Sequence, residues 1–125
     1  MTTAEVAATL VALCRKHDFE GAMHQLYSQD IVSVEPFDPP TPTPGMTRIM
    51  KGLPAVAAKG KWWTENHTIH SFTIGDPFIS TDKFAVEMSL DVTNKPSGKR
   101  MSMKEIAVYT VANGKIVHEE FLYKM

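Results

Sequence analysis

Residues 83–124 read KFAVEMSLDVTNKPSGKRMSMKEIAVYTVANGKIVHEEFLYK. Three alternating runs rich in β-branched and aromatic residues are separated by two turn signals. A strand sends successive side chains to opposite faces, so Phe84, Val86, Met88, Leu90 and Val92 share one side of the first run. Lys95-Pro96-Ser97-Gly98 turns the chain, and Asn113-Gly114 is the dipeptide that a type I′ hairpin requires. Upstream, HTIHSFTI (67–74) is broken by Gly75-Asp76-Pro77, and FIS (78–80) leads to a turn at Thr81-Asp82. The spacing therefore predicts an antiparallel meander from His67 onward.

The first half of the chain carries helical periodicity. Val6, Leu10, Leu13 and Cys14 form one stripe, and Phe19, Met23, Leu26 and Tyr27 continue the pattern behind Asp18, a natural N-cap. DIVSVEPF (30–37) reads as a strand ending at Pro36. PFDPPTPTPGM (36–46) has five prolines in eleven positions, which excludes helix and central strand because each proline lacks the ladder N–H. Such a loop is either a lid over a site or a disordered segment. GLPAVAAKGKWWTEN (52–66) then restarts a helix, with Pro54 in its first turn. Helices first and a meander second make an α+β fold, with helices covering one face of a curved antiparallel sheet.

With 125 residues the chain is expected to form one domain. Thirteen basic residues against fourteen acidic ones, with no block of like charge, point away from nucleic acid and from anionic membranes as partners. Cys14 is the only cysteine, so no intrachain disulfide and no cysteine-based metal site is expected. VAATLVALC (6–14) has no preceding Lys or Arg and no cleavage site after it, and no run reaches transmembrane length. A cytoplasmic protein is the expectation. P-loop, GxGxxG, GxSxG and HExxH patterns do not occur, and no cofactor or metal is expected.

Strand parity carries the site expectations. In the penultimate strand Met101, Met103, Glu105, Ala107 and Tyr109 share a side that mixes apolar bulk with a carboxylate and a phenol, as a ligand cavity does. In the last strand Val117, Glu119, Phe121 and Tyr123 form the more aromatic side. If both sides face inward, Glu105 and Glu119 lie on neighbouring strands over an apolar space, where desolvation raises a carboxyl pKa toward the range useful for acid–base catalysis. The competing expectation is that each glutamate pairs with a lysine or histidine, or is solvated. A bulge would reverse parity beyond it.

WWTENHTIH (62–70) raises the question of a second reactive group. Only one of two adjacent tryptophans on a helix can point squarely inward, and Trp63 is taken as a pocket wall. His67 and His70, three apart on a strand, face opposite sides and cannot form a two-histidine metal site. His70 shares parity with Phe72 and Ile74 and is the candidate catalytic histidine; a satisfied core or edge histidine is the alternative. Glu35, at the end of the first strand, is a candidate for the pocket mouth, with a solvated position as the equal alternative. Candidate lining residues are thus Trp63, Phe72, Met88, Met103, Tyr109, Phe121, Tyr123 and Glu35, with Glu105, Glu119 and His70 as candidate catalysts. Cys14 on an apolar stripe reads as core.

Taken together, LYSQDIVSVEP (26–36), KWWTENHTIHS (61–71) and YTVANGKIVHEEFLY (109–123) resemble the nuclear transport factor 2-like superfamily, and within it the SnoaL-like domains. The resemblance covers nearly the whole chain. It implies a cone-shaped α+β barrel with a pocket at its open end, and a homodimer packed through the outer sheet face, to which Ile106 and Val108 would contribute. The superfamily hosts isomerases, dehydratases, epoxide hydrolases, polyketide cyclases and non-catalytic binding modules. The steroid isomerases pair a carboxylate base with a tyrosine-and-acid oxyanion hole, which Glu105 or Glu119 with Tyr109 or Tyr123 could imitate. The Asp-Arg-Asp arrangement of the epoxide hydrolases has no counterpart beside Arg15, Arg48 or Arg100. The expected function is a cofactor-independent isomerase, cyclase or dehydratase acting on a small apolar carbonyl compound. The alternative is a non-catalytic binder of a small hydrophobic molecule, its eight methionines giving an adaptable lining.

Overall fold

A computed structural model describes residues 1–39 and 43–124. Helix α1 (Thr3–Arg15) starts at a reciprocal capping box in which the Thr2 hydroxyl accepts from the Glu5 amide and the Glu5 carboxylate accepts from the Thr2 amide. Its buried stripe is Val6, Ala7, Leu10, Val11 and Cys14. His17 takes φ 60 and turns the chain into α2 (Phe19–Leu26), which Asp18 caps by accepting from the Gly21 amide.

Strand β1 (Tyr27–Val34) follows without a loop, then β2 (Ile49–Lys51) and α3 (Leu53–Asn66). The remaining strands are β3 (His67–Ile74), β4 (Phe78–Ile79), β5 (Lys83–Asn94), β6 (Arg100–Ala112) and β7 (Lys115–Leu122). The sheet runs β2-β1-β7-β6-β5-β3 with β4 on β5, and it is open rather than closed. The expected hairpin at Asn113-Gly114 is present, with φ 52 and 74, both left-handed as a type I′ turn needs. The expected α+β architecture is therefore the observed one, a curved sheet wrapped around helices.

Two features depart from the sequence expectation, one parallel pairing and one extra strand. β1 pairs with β7 in parallel, which strand periodicity cannot reveal because it reports faces and not neighbours. Strand β2 follows the proline-rich loop and pairs with β1 through Val34–Ile49, Ser33–Met50 and Val32–Lys51. Of that loop, Pro40, Thr41 and Pro42 lie outside the described residues, and the lid expectation rests partly on them. Its first arm is fixed: the Phe37 ring packs edge-on against Tyr123 with centroids 5.3 Å apart, and Asp38 accepts from the Arg48 amide at 2.7 Å.

Candidate functional site

Cross-strand register builds the site row by row. Ser33 on β1 lies opposite Glu119 on β7, which lies opposite Tyr109 on β6, which lies opposite Phe84 on β5. The next inward row is Phe121, Ala107 and Val86. Then come Glu105, Met88 and Ile74, and finally Met103, Leu90 and Phe72. Side chains opposed in this way are in contact or nearly so. The helices roof these rows with Leu10, Cys14, Phe19, Met23, Lys59 and Trp63, and a cavity of about 210 Å³ remains between roof and sheet. Its deep end is closed by Leu10, Cys14, Tyr27 and Glu119, all buried, and its rim is made by half-buried Glu35, Trp63, Phe121 and Tyr123.

Glu119 is 2% exposed and fully committed. One carboxylate oxygen accepts from the Tyr27 hydroxyl, and the other accepts from Ser33 Oγ at 2.6 Å. Burial pushes its pKa up, while Lys59 and the hydroxyl donors Ser33 and Tyr27 act in the opposite direction. Ser33 in turn accepts from Lys59 Nζ at 2.6 Å. The same ammonium pairs with Glu35 at 3.1 Å and lies 5.4 Å from the Phe121 ring centroid. Glu35 completes the chain by accepting from the Tyr123 hydroxyl at 2.8 Å. A continuous wire therefore runs Tyr27, Glu119, Ser33, Lys59, Glu35, Tyr123, with every polar group paired.

Glu105 differs from both other carboxylates. It lies on the cavity wall, and among the described residues it makes no hydrogen bond or ion pair. Burial, with Glu35 and Glu119 nearby and only Lys59 opposing, pushes its pKa up to about 7. Tyr109 is 2% exposed, stacks on Phe84 at 4.9 Å and makes no hydrogen bond among the described residues. Burial and then Glu119 push its hydroxyl pKa far up, so it stays a proton donor. Burial does the same to Tyr123 and Tyr27. Cys14 is core, as expected, and burial pushes its thiol up to about 11, which removes it as a nucleophile at neutral pH.

Candidate lining residues Trp63, Phe72, Met88 and Met103 all face the cavity, as do Tyr109, Phe121, Tyr123 and Glu35. The candidate catalysts Glu105 and Glu119 face it too, but His70 does not. A β-bulge between Ile69 and Ser71 leaves His70 as the unpaired extra residue of β3. Ile69 and Phe72 consequently face the cavity together, and His70 is exposed, with Nε2 2.7 Å from Thr93 Oγ1. The expectation of a catalytic His70 is corrected on that ground. His67 instead supports the pocket wall, its ring stacked on Trp63 at 4.3 Å and its Nδ1 2.8 Å from the Trp63 carbonyl oxygen.

Three site residues, Tyr27, Ser33 and Lys59, are not among the expected site residues; Tyr27, expected on the apolar stripe of the second helix, is the first residue of β1. Ser33 could have been found, because it shares parity with buried Ile31 and with Glu35. Lys59 sits three residues after buried Val56 and four before Trp63, on the inward helix face, where a lone lysine is an informative exception. The arginines serve the surface: Arg15 pairs with Asp76 and Arg100 with Asp91. Among the described residues no cluster of three His, Cys, Asp or Glu side chains could hold a metal, and no helix is long and apolar enough to cross a membrane.

The sequence matches the SnoaL-like domain family over residues 1–123. A solved structure from Mesorhizobium loti, provisionally described as a SnoaL-like polyketide cyclase and also as a carbohydrate phosphatase, is 36% identical. It superposes with a TM-score of 0.89, covering 98% of this chain and 100% of that one. A Bacillus subtilis protein provisionally described as an isomerase superposes at 0.74 with 19% identity, over 98% of this chain and 86% of its own. An NTF2-like protein from Burkholderia thailandensis does so at 0.79 with 18% identity, over 99% and 92%. At those two identities the likeness is one of fold. No curated protein matches the sequence. With the curved sheet, the helical roof and the family match over almost its whole length, the chain belongs to the SnoaL-like domain family, with a fold like that of NTF2-like proteins.

Proposed function

We propose that this protein is a cofactor-independent acid–base enzyme that moves a proton on a small, largely apolar carbonyl compound, with Glu105 as the proton carrier. The observation that carries this reading is the bare Glu105 carboxyl on the cavity wall, with apolar Met88 opposite it. A group whose pKa lies near neutrality both takes and returns a proton readily. As carboxylate, Glu105 removes a proton from the carbon next to the carbonyl; the C–H electrons form the enolate C=C, and charge builds on the oxygen. Tyr109, still protonated and four residues along the same strand face, supplies a hydrogen bond to that oxygen. Glu105 then returns the proton to carbon, so the net change is an isomerisation or exchange with no redox partner. Glu119 takes no proton in this scheme; its role is to hold Tyr27 and Ser33.

The test is deuterium incorporation from heavy water into enolisable ketones such as acetophenone, followed by NMR. Exchange should run above the buffer rate and fall at least about 100-fold in Glu105→Gln. Binding with no exchange would instead support a plain binding protein, a second reading that the apolar wall of Phe72, Met88, Leu90 and Met103 favours. We also infer a homodimer through the outer sheet face, where Ile106 (38% exposed) and Leu122 (47% exposed) are direct cross-strand partners. Sedimentation showing only monomer at micromolar concentration would overturn it. A reducing compartment such as the cytoplasm suits the lone Cys14 thiol.

A further inference from the structure

Size and charge narrow the substrate class further, on the same site and resting on the carbonyl reading. An apolar cavity of about 150 Å³ is filled by one benzene, and a water occupies about 30 Å³ of liquid. The cavity here is about 210 Å³. Within its walls it therefore holds one ring with a substituent of two or three heavy atoms, and a fused polycycle would have to project past the rim.

What stops the cavity from extending is a contact between two helices. Met23 on α2 rests on Gly60 of α3: a Cβ at Gly60 would lie 2.7 Å from Met23 Cε. Both residues line the internal cavity, and both also line a broad groove of about 1020 Å³ on the opposite side, between α2 and α3. Phe19 and Thr64 are shared in the same way. The half-buried Met23 side chain is thus a partition one residue thick, and it is unbranched and flexible, unlike the ring of Phe19 beside it.

Charge selects in a second way. Among the described residues, Glu35, Glu105 and Glu119 line the cavity against a single cation, Lys59, whose ammonium is already bonded to Glu35 and Ser33. An anionic ligand would meet Glu105, which has no cation bonded to it among the described residues, in a poorly solvated space.

We infer that the cavity selects uncharged ketones or aldehydes of single-ring size, and that Met23 seated on Gly60 sets the upper limit. The test is calorimetric titration of the protein with acetophenone, 2-acetylnaphthalene, progesterone and benzoate at pH 8, alongside the Met23→Ala and Met23→Leu variants. Acetophenone should bind the parent protein at least tenfold more tightly than 2-acetylnaphthalene, and benzoate and progesterone should not bind. Met23→Ala should improve 2-acetylnaphthalene binding at least tenfold, while Met23→Leu, which keeps the wall, should leave the ranking as it is. If Met23→Ala does not fold, Met23→Val carries the same expectation in smaller measure. Equal affinity for one-ring and two-ring ketones, binding of benzoate, or a folded Met23→Ala with an unchanged ranking would overturn the inference. Deuterium exchange, measured separately, keeps the two ideas apart. Size selection without exchange defeats only the catalytic reading, and exchange on two-ring ketones at the one-ring rate defeats only the size limit. Absence of binding by every ketone defeats both.

Discussion

Glu119 and Glu105 lie on neighbouring strands, line one cavity and differ in almost everything that decides a carboxylate's work. Glu119 is sealed at the deep end between two hydroxyl donors, within a wire that ends on Tyr123 at the rim. Glu105 is in reach of a ligand and carries no protein partner among the described residues. Burial raises both pKa values, yet only Glu105 has a carboxyl that no protein group among the described residues bonds. A perturbed carboxyl is thus a weak guide to chemistry until its hydrogen bonds are counted, because a donor pair turns the same residue into scaffold.

The comparison breaks most visibly if the scaffold carboxylate is removed. Glu119→Ala leaves the Tyr27 and Ser33 hydroxyls buried without an acceptor, and the expected loss is about 4 kcal/mol of stability in urea denaturation at pH 7. Glu105→Ala, by contrast, strands no partner and should cost much less.

Changing pH sharpens the same contrast. The folded pKa of Glu105 is about 7 against 4.5 in the unfolded chain, so the folded protein binds more protons between those values. Its contribution is fully present below pH 4.5 and is lost as pH rises through 7. Glu105→Gln, always neutral, removes that loss. Equal near pH 4, the variant should exceed the parent by up to about 3 kcal/mol at pH 8. Glu119, also raised, adds a slope of the same sign that survives this substitution.

Tyr27→Phe deletes one donor while keeping the shape. A cost of about 2 kcal/mol is expected, together with a further rise in the Glu119 pKa, read by carboxyl NMR. The smallest effect belongs to His70→Ala, which should change both stability and exchange rate little, within about 0.5 kcal/mol by urea denaturation, since the ring lies outside the cavity. A large loss of exchange in that variant would reopen the placement of His70.

Those predictions separate what the sequence could express from what it could not. β6 pairs with β5 without interruption from Lys83–Thr110 to Thr93–Arg100, so its alternation placed Glu105 and Tyr109 correctly. β3 carries one extra residue, and alternation therefore misplaced His70 while the composition of the strand gave no sign of it. β7 slips near Val117, so Ile116 and Glu119 are both buried although they differ in parity. Helix α3 hid Lys59 for another reason. A lysine within a helix is ordinarily solvated, and only its partners Ser33 on β1 and Glu35 just after it make it internal. Local pattern encodes faces; it does not encode bulges, or which residues the far ends of a sheet bring together.

The parallel pairing of β1 with β7 also governs when the pocket comes into being. Tyr27 and Glu119 are 92 residues apart, and Ser33 and Glu119 are 86. Closing loops of that length is the slow part of assembling a sheet, and local helices and hairpins form well before it. Until then Tyr27 and Ser33 lack the Glu119 carboxylate, whereas Lys59 has its partner Glu35 only 24 residues away. The polar end of the cavity is therefore finished only when β1 docks on β7 of the β6–β7 hairpin, so a refolding chain is expected to complete its buried Tyr27–Glu119–Ser33 cluster late.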